Sequence, residues 1–332
     1  MTTPTLYLAA PRGFCAGVDR AIDIVEMALE VYGAPIWVRH EIVHNRHVVD
    51  SLRERGAIFV DELADVPRGS VVVFSAHGVS PEIRREAKER ELRAIDATCP
   101  LVTKVHLEAL RFARSGHEIV LIGHDGHAEV EGTMGEAPEA MVLVQNKDDV
   151  AKLEVKDPSR LAYLTQTTLS VDETTVIIDA LKERFPEMRG PAREDICYAT
   201  TNRQAAVKEL AGRCDLVLVV GSPTSSNSSR LREVAELCGA SAYLVESVAD
   251  VDEAWLVGKK AVGVTAGAST PEHLVQELVR WLEARGAARV ENLVAVREEM
   301  FFHLPSDLTR DLEASGRAAP ILEESGRTLR TR

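Results

Sequence analysis

LYLAAPRGFCAGVDRAI, residues 6–22, starts as an apolar run, breaks at Pro11 and Gly13, and resumes as a helical pattern with Cys15 at the join. A run too short for a helix, ended by Pro and Gly and followed by apolar residues at three- and four-residue spacing, reads as strand, turn, helix. The same order recurs at residues 92–106, LRAIDATCPLVTKVH, and at 194–210, EDICYATTNRQAAVKEL. Cys15, Cys99 and Cys197 thus mark one topological corner in each of three similar α/β units, each the size of a small domain. Three thiols meeting at one point would make a metal or cluster centre with a coordination position left open.

Outward from these corners, Val/Ile/Leu-rich runs alternate with longer amphipathic segments, which predicts βα repeats and parallel sheets. Strands are expected over 5–9, 35–39, 57–60, 70–75, 93–96, 118–122, 140–144, 161–165, 215–220, 241–245 and 260–264. Helices are expected over 16–32, 46–55, 81–91, 100–115, 171–185, 201–212, 228–238 and 271–285. Each unit also carries two polar loops after strands, where α/β sheets place ligands. They read VRHEIVHN and FSAHGVSP, then IGHDGHAEVEGTMG and LTQTTLS, then VVGSPTSSNSS and GVTAGASTPE. The periodicity weakens after about residue 286: ENLVAVREEMFFHLP is expected to pack as an arm, and the polar, turn-rich DLTRDLEASGRAAPILEESGRTLRTR to be flexible. The expected division is a first lobe at 16–98, a second at 99–196, a third made of 1–15 with 197–285, and an arm and flexible tail at 286–332.

Composition narrows the function. With 45% hydrophobic and 27% charged residues among 332, the chain has ample core, and 5% aromatics means a core built from aliphatic side chains. A net charge of −13 with no basic stripe argues against nucleic-acid or anionic-membrane binding. It leaves open a small anion held by amides and hydroxyls. The start MTTPTLYLAAPRG is no signal peptide, and no apolar run approaches the ~20 residues of a membrane span. A cytoplasmic protein with reduced thiols is expected, and five cysteines suit a disulfide scaffold poorly.

Cys214 and Cys238 read as ordinary cysteines, one ahead of a strand and one closing a helix. Cys15, Cys99 and Cys197 precede helix N-termini, where amide dipoles lower a thiol pKa and can donate to cluster sulfurs. No C-x-x-C pair marks a zinc ribbon. His44, His77 and His127 follow apolar strands at equivalent positions, which suits one shared cavity with imidazoles as metal ligands or anion donors. His47, His106 and His124 read as ordinary packing residues. SSNSS at 225–229 and AGAST at 266–270 each precede a helix. A cap needs one side chain rather than five, so Ser225, Ser226 and Asn227 describe an anion site without lysine. With no G-x-x-x-x-G-K-[ST] present, a phosphate or diphosphate is favoured over a nucleotide. Glu129, two residues after His127, either complements a helix dipole or donates a proton through Thr167 or Thr168.

Taken together, PRGFCAGVDRAI, VRHEIVHNRHVVDSL, FSAHGVSP, DATCPLVTKVH, EVEGTMG, TQTTLS, DICYATTNRQ, SSNSSRL and GVTAGAS resemble the signatures of the 4-hydroxy-3-methylbut-2-enyl diphosphate reductase (IspH/LytB) family, over residues 8 to about 270. The resemblance implies three α/β lobes with small, mostly parallel sheets in a pseudo-threefold arrangement around a central iron–sulfur cluster, one [4Fe-4S] per chain. It implies Cys15, Cys99 and Cys197 as cluster ligands, and His44, His77, His127, Thr167, Ser225, Ser226, Asn227 and Ser269 as substrate-binding residues. Glu129 matches the proton donor, with Thr167 as its relay. The implied reaction is reductive dehydroxylation of the allylic diphosphate to isopentenyl and dimethylallyl diphosphate, the last step of the methylerythritol phosphate pathway. Ala128 departs from the family, which often has Pro there. No G-x-G-x-x-G fingerprint supplies electrons, so an external donor such as flavodoxin or ferredoxin is implied, with the chain a monomer or homodimer. A non-redox iron–sulfur hydro-lyase would want arginines facing a carboxylate, and the loops offer only Arg12 and Arg46. A zinc-binding structural protein would have no use for the SSNSS and QTTLS loops.

Overall fold

The structure, a computed structural model, describes residues 4–287 and 289–315. The chain begins β1 (Thr5–Ala10), α1 (Ala16–Tyr32), β2 (Ile36–Arg39), α2 (Arg46–Glu54), β3 (Ala57–Val60), β4 (Val71–Phe74), α3 (Pro81–Glu89) and β5 (Arg93–Asp96). It continues through α4 (Pro100–Arg114), β6 (Glu118–Ile122), α5 (Ala128–Met134), β7 (Met141–Val144), α6 (Lys147–Lys152), β8 (Leu161–Thr165) and α7 (Val171–Arg184). Then come α8 (Tyr198–Ala211), β9 (Leu216–Val220), α9 (Ser226–Leu237), β10 (Ser241–Val245), β11 (Ala261–Ala266), α10 (Glu272–Ala284), β12 (Arg289–Val294) and α11 (Ser306–Ala314).

Among the described residues the strands form three sheets, of order β10-β9-β11-β1-β12, β3-β2-β4-β5 and β7-β6-β8, with every pairing parallel. The first sheet lies in one unit, made of the chain up to Cys15, His44–Val48 and Tyr198–Glu299. The other two lie in a second unit, Ala16–Val43, Val49–Cys197 and Met300 onward. Central strands of parallel sheets are covered on both faces, and their sequences show it: LVLVV of β9 is buried throughout and EIVLI of β6 from Ile119 to Ile122. Within the first sheet, Leu6, Leu8, Leu216 and Val264 pack with Leu274 and Leu278 of α10, while Val217 and Val219 pack with Val207 of α8 and Leu231 of α9. That alternation sandwiches the sheet between helices. The helices begin where caps dictate: the Ser80, Ser170 and Ser225 hydroxyls accept the N–H groups of Ile83, Glu173 and Ser228. Pro81 and Pro100 stand at first helical positions, where a missing N–H costs nothing.

Four expectations need correction. Regular structure does not thin out after 286, because RVENLV forms β12 and pairs along the whole of β1. Nor is DLTRDLEA flexible: it lies in α11, with Leu308 and Leu312 buried. The rest of the expected flexible tail, residues 316–332, lies outside the described residues. The segment after His127 is helical rather than a loop, and α8 and α9 start at Tyr198 and Ser226, a few residues before their apolar periodicity begins. In α8 the opening turns bury polar groups, Thr200, Arg203 and Gln204, which conceal the helix from a hydrophobic pattern.

Candidate functional site

In the first unit the loops after β1, β9 and β11 are neighbours because those strands are adjacent in the sheet. The Gly13 N–H donates to Ala266 O (3.3 Å) and the Cys15 N–H to Ala268 O (3.3 Å), so the thiol loop rides on the loop after β11. Gly13 has φ +67°, and a Cβ there would stand 3.1 Å from Thr270 O, so only glycine suits both its backbone and its space. The Gly267 N–H and the Thr270 hydroxyl both donate to Val220 O, at 3.0 and 2.9 Å, joining that loop to the one after β9. A Cβ on Gly221 or Gly267 would lie 2.3 or 2.0 Å from the Ser228 hydroxyl, so two loops close bare backbone against the start of α9. Ser225 caps α9, Ser226 follows, and both amide atoms of the buried Asn227 lack a hydrogen-bond partner. The Ser269 hydroxyl donates to His44 O at 2.9 Å. His44, Ser225, Ser226, Asn227 and Ser269 thus share one unit with Cys15, and a buried amide with no partner is what a missing polar ligand leaves behind.

The second unit holds Cys99, Cys197, His77, His127 and Glu129. The Cys99 N–H donates to Ala76 O (3.0 Å), one residue from His77. Gly78, at φ +83°, lets this turn pass over His106, whose Cε1 would lie 2.9 Å from an added Cβ. His106 in turn pairs with Glu136 at 3.0 Å, which anchors the ring that Gly78 passes over. The His77 and His127 rings meet edge-on with centroids 5.7 Å apart, and Nδ1 of His127 accepts the Glu129 N–H (3.1 Å) to cap α5. Ala128 takes the first position of α5, a place that suits Ala as well as Pro, so this departure leaves the helix intact.

Glu129 is buried, 2% exposed, and its carboxylate accepts the Thr167 N–H (2.6 Å) and hydroxyl (2.9 Å). Burial drives its pKa up from 4.5 to about 7, with the two Thr167 bonds opposing and the charge of Asp195 adding a little. Thr167 O accepts the Cys197 N–H at 3.0 Å. Thr168 instead accepts from the Gln166 amide (2.8 Å), which places Thr167 and not Thr168 beside the carboxyl. Gln166, whose side chain also receives the His124 N–H (3.1 Å), escaped the sequence reading because a glutamine between threonines carries no distinguishing pattern.

Cys15, Cys99 and Cys197 are half-buried, whereas Cys214 is buried and Cys238 exposed. Burial, with Asp215 adding, pushes the Cys214 thiol up to about 12, so it stays protonated and inert. Among the described residues no group of three or more His, Cys, Asp or Glu is gathered to hold a metal ion. All three half-buried thiols stand immediately ahead of a helix, α1, α4 and α8, but only Cys15 and Cys99 follow a strand, β1 and β5. The strand expected ahead of Cys197 is not formed: the stretch between α7 and α8 is irregular where the acidic Glu194 and Asp195 interrupt its apolar residues.

The LytB protein family profile matches residues 6–283. The chain belongs to that family. A relative from Marinobacter nauticus, named 4-hydroxy-3-methylbut-2-enyl diphosphate reductase, is 59% identical over 310 residues, covering 92% of this chain and 98% of its own. One of the same name from Streptomyces avermitilis is 59% identical over 320 residues, covering 96% and 94%. Among solved structures, the E-1-hydroxy-2-methyl-but-2-enyl-4-diphosphate reductase from Plasmodium falciparum is similar with a TM-score of 0.93 at 41% identity, covering 95% of this chain and 100% of that one. No helix among the described residues of this LytB-family chain is long and apolar enough to cross a membrane.

Proposed function

We infer that this chain carries out the reaction for which its relatives are named, reductive dehydroxylation of (E)-4-hydroxy-3-methylbut-2-enyl diphosphate to isopentenyl and dimethylallyl diphosphate. The supporting observation is Thr167, which bonds the Glu129 carboxyl through its N–H and hydroxyl and the Cys197 N–H through its carbonyl. One residue thereby ties a carboxyl that keeps its proton near neutral pH to a thiol of the proposed cluster.

Cys15, Cys99 and Cys197 suit an iron–sulfur cluster by donor chemistry: three soft, half-buried thiols, each ahead of a helix N-terminus whose amides favour thiolate. Cys214 and Cys238 lack that setting. When bound, the cluster would relay electrons one at a time and supply a Lewis-acid site for the allylic hydroxyl. The chain's own residues do the rest. Ser225, Ser226, Asn227 and Ser269 offer hydroxyls, an unpartnered amide and the start of α9 to the diphosphate. His44, His77 and His127 add imidazoles able to carry charge against phosphate. Glu129 gives its proton, through the Thr167 hydroxyl, to the departing oxygen, which leaves as water. A second proton and the two electrons complete the C–H bond that replaces C–OH. The electrons come from an external one-electron carrier of the flavodoxin or ferredoxin class. In this reading residues 16–98, 99–196 and 1–15 with 197–285 act as three lobes around one [4Fe-4S] cluster.

Anaerobic incubation with the allylic diphosphate and a chemical reductant tests the function. Release of both C5 diphosphates is expected, with a change in the iron spectrum on substrate binding. A protein that binds iron on these cysteines yet dehydrates the substrate without consuming electrons would overturn it.

A further inference from the structure

The backbone ahead of each thiol points carbonyls at a cation. Before Cys15, Arg203 donates through Nε (3.1 Å) and Nη2 (2.7 Å) to Gly13 O and through Nη2 to Phe14 O (3.1 Å). Before Cys99, Arg20 donates through Nη1 to Ala97 O (3.3 Å) and Thr98 O (3.0 Å). Before Cys197, Lys104 donates through Nζ to Arg193 O and Glu194 O (the latter 3.0 Å) and to the Asp195 carboxylate at 2.8 Å. These cations share an origin. Arg20 lies on α1, which Cys15 heads; Lys104 lies on α4, which Cys99 heads; Arg203 lies on α8, which Cys197 heads. Each thiol-headed helix therefore carries, about a turn and a half in, the cation that grips the approach to the next thiol: 15 to 99, 99 to 197, and 197 back to 15.

We propose that Arg20, Lys104 and Arg203 are positioning residues that form a relay along the chain, each, from the helix headed by one thiol, holding the loop that presents the next. Their cost argues for a purpose. Arg203 has no exposed surface, and its charge is balanced by Glu298 at 3.0 and 3.3 Å. A buried guanidinium is dearer than an aliphatic side chain of like volume, and its fork is the group best shaped to hold several carbonyls at once. With its carbonyls held, each loop presents its thiol from one fixed direction, which cluster assembly needs. The connection to a cluster rests on the proposed function; the relay itself is a property of the polypeptide.

The test therefore uses the full-length protein both with iron and after chelator stripping. In the stripped protein, Lys104→Met should raise alkylation of Cys197 and amide exchange over residues 193–197 about tenfold, the worth of a charge-assisted bond. Cys15 should be unaffected, and Lys104→Arg should restore the wild-type rates. Arg20→Met should release Cys99 in the same selective way, and Arg203→Lys, which keeps the charge but loses the fork, should release Cys15. Arg203→Lys also stands in for Arg203→Met if the latter does not fold. In the iron-loaded protein each charge removal should lower the reduction potential, and Lys104→Arg should recover it. Equal acceleration at all three thiols, or none at the thiol predicted, overturns the relay. Absence of iron from the wild-type protein, with the variants still showing the selective pattern, overturns the cluster reading and leaves the relay standing.

Discussion

The two units meet function with opposite chemistry. Around the start of α9 the first unit offers Ser225, Ser226, Asn227, Ser269 and bare glycine backbone, groups that bind an anion at any ordinary pH. The second unit offers Glu129, His77 and His127. Its buried carboxyl ionises only near 7. On the proposed function, the hydroxyls and the amide that would hold the diphosphate and the carboxyl that would supply the proton come from different stretches of chain, and variants should separate them.

The largest effect is expected where both halves depend on one thing. Cys99→Ser, Cys15→Ser or Cys197→Ser should each abolish iron binding and turnover, while Cys214→Ser and Cys238→Ser keep both. Full iron content in Cys99→Ser would remove it from the ligand set. Next, Glu129→Gln should cut kcat by ~10²–10⁴ with KM nearly unchanged, because it removes a proton and not a binding contact. A variant with normal kcat and raised KM would mean the division has been drawn the wrong way round. Asn227→Ala or Asn227→Asp should do the reverse, raising KM ~10-fold or more with kcat largely kept, Asp being worse because its charge faces a diphosphate.

The pH profile sharpens the contrast. As Glu129 must be protonated to act, wild-type kcat should fall as pH rises through about 7. Stability carries the same signature. The folded chain keeps this proton up to about 7, whereas the unfolded chain releases it near 4.5, so Glu129 subtracts stability progressively as pH rises between those values. The melting temperature of Glu129→Gln relative to wild type should climb across that window and then level off; a flat difference would show that the carboxyl ionises normally. The smallest change expected is Ser225→Ala, which removes the cap of α9 for ~0.5–2 kcal/mol, visible as a lower melting temperature together with weaker diphosphate binding.

How much of this was legible depended on repetition. The strand at 118–122 and the strand at 161–165 are found at those residues, because a buried parallel strand writes itself as a near-continuous apolar run. Short elements did not show. The seven residues of α5 include Gly132 and span barely two turns, too little for periodicity to register. RVENLV of β12 mixes charges into its run, and only its pairing with β1 makes it a strand. The thiols, histidines and Glu129 stood out through recurrence and through resemblance to one family, yet the choice between Thr167 and Thr168 needed the fold, since both flank the same turn. Arg20, Lys104 and Arg203 were invisible for a plainer reason: a cation on an amphipathic helix reads as a solvated one, and only the carbonyls arriving from elsewhere in the chain show otherwise.

One consequence follows from the position of β1. Its neighbours in the sheet are β11 and β12, formed by Ala261–Ala266 and Arg289–Val294. While the ribosome is still at work, the opening strand has no edge to join until most of the polypeptide has emerged, and closing so long a loop is slow. The sheets between Ile36 and Thr165 have no such wait. Cys15, the first thiol to be synthesised, is therefore the last to be seated, and a chain cut short before β11 leaves it hanging.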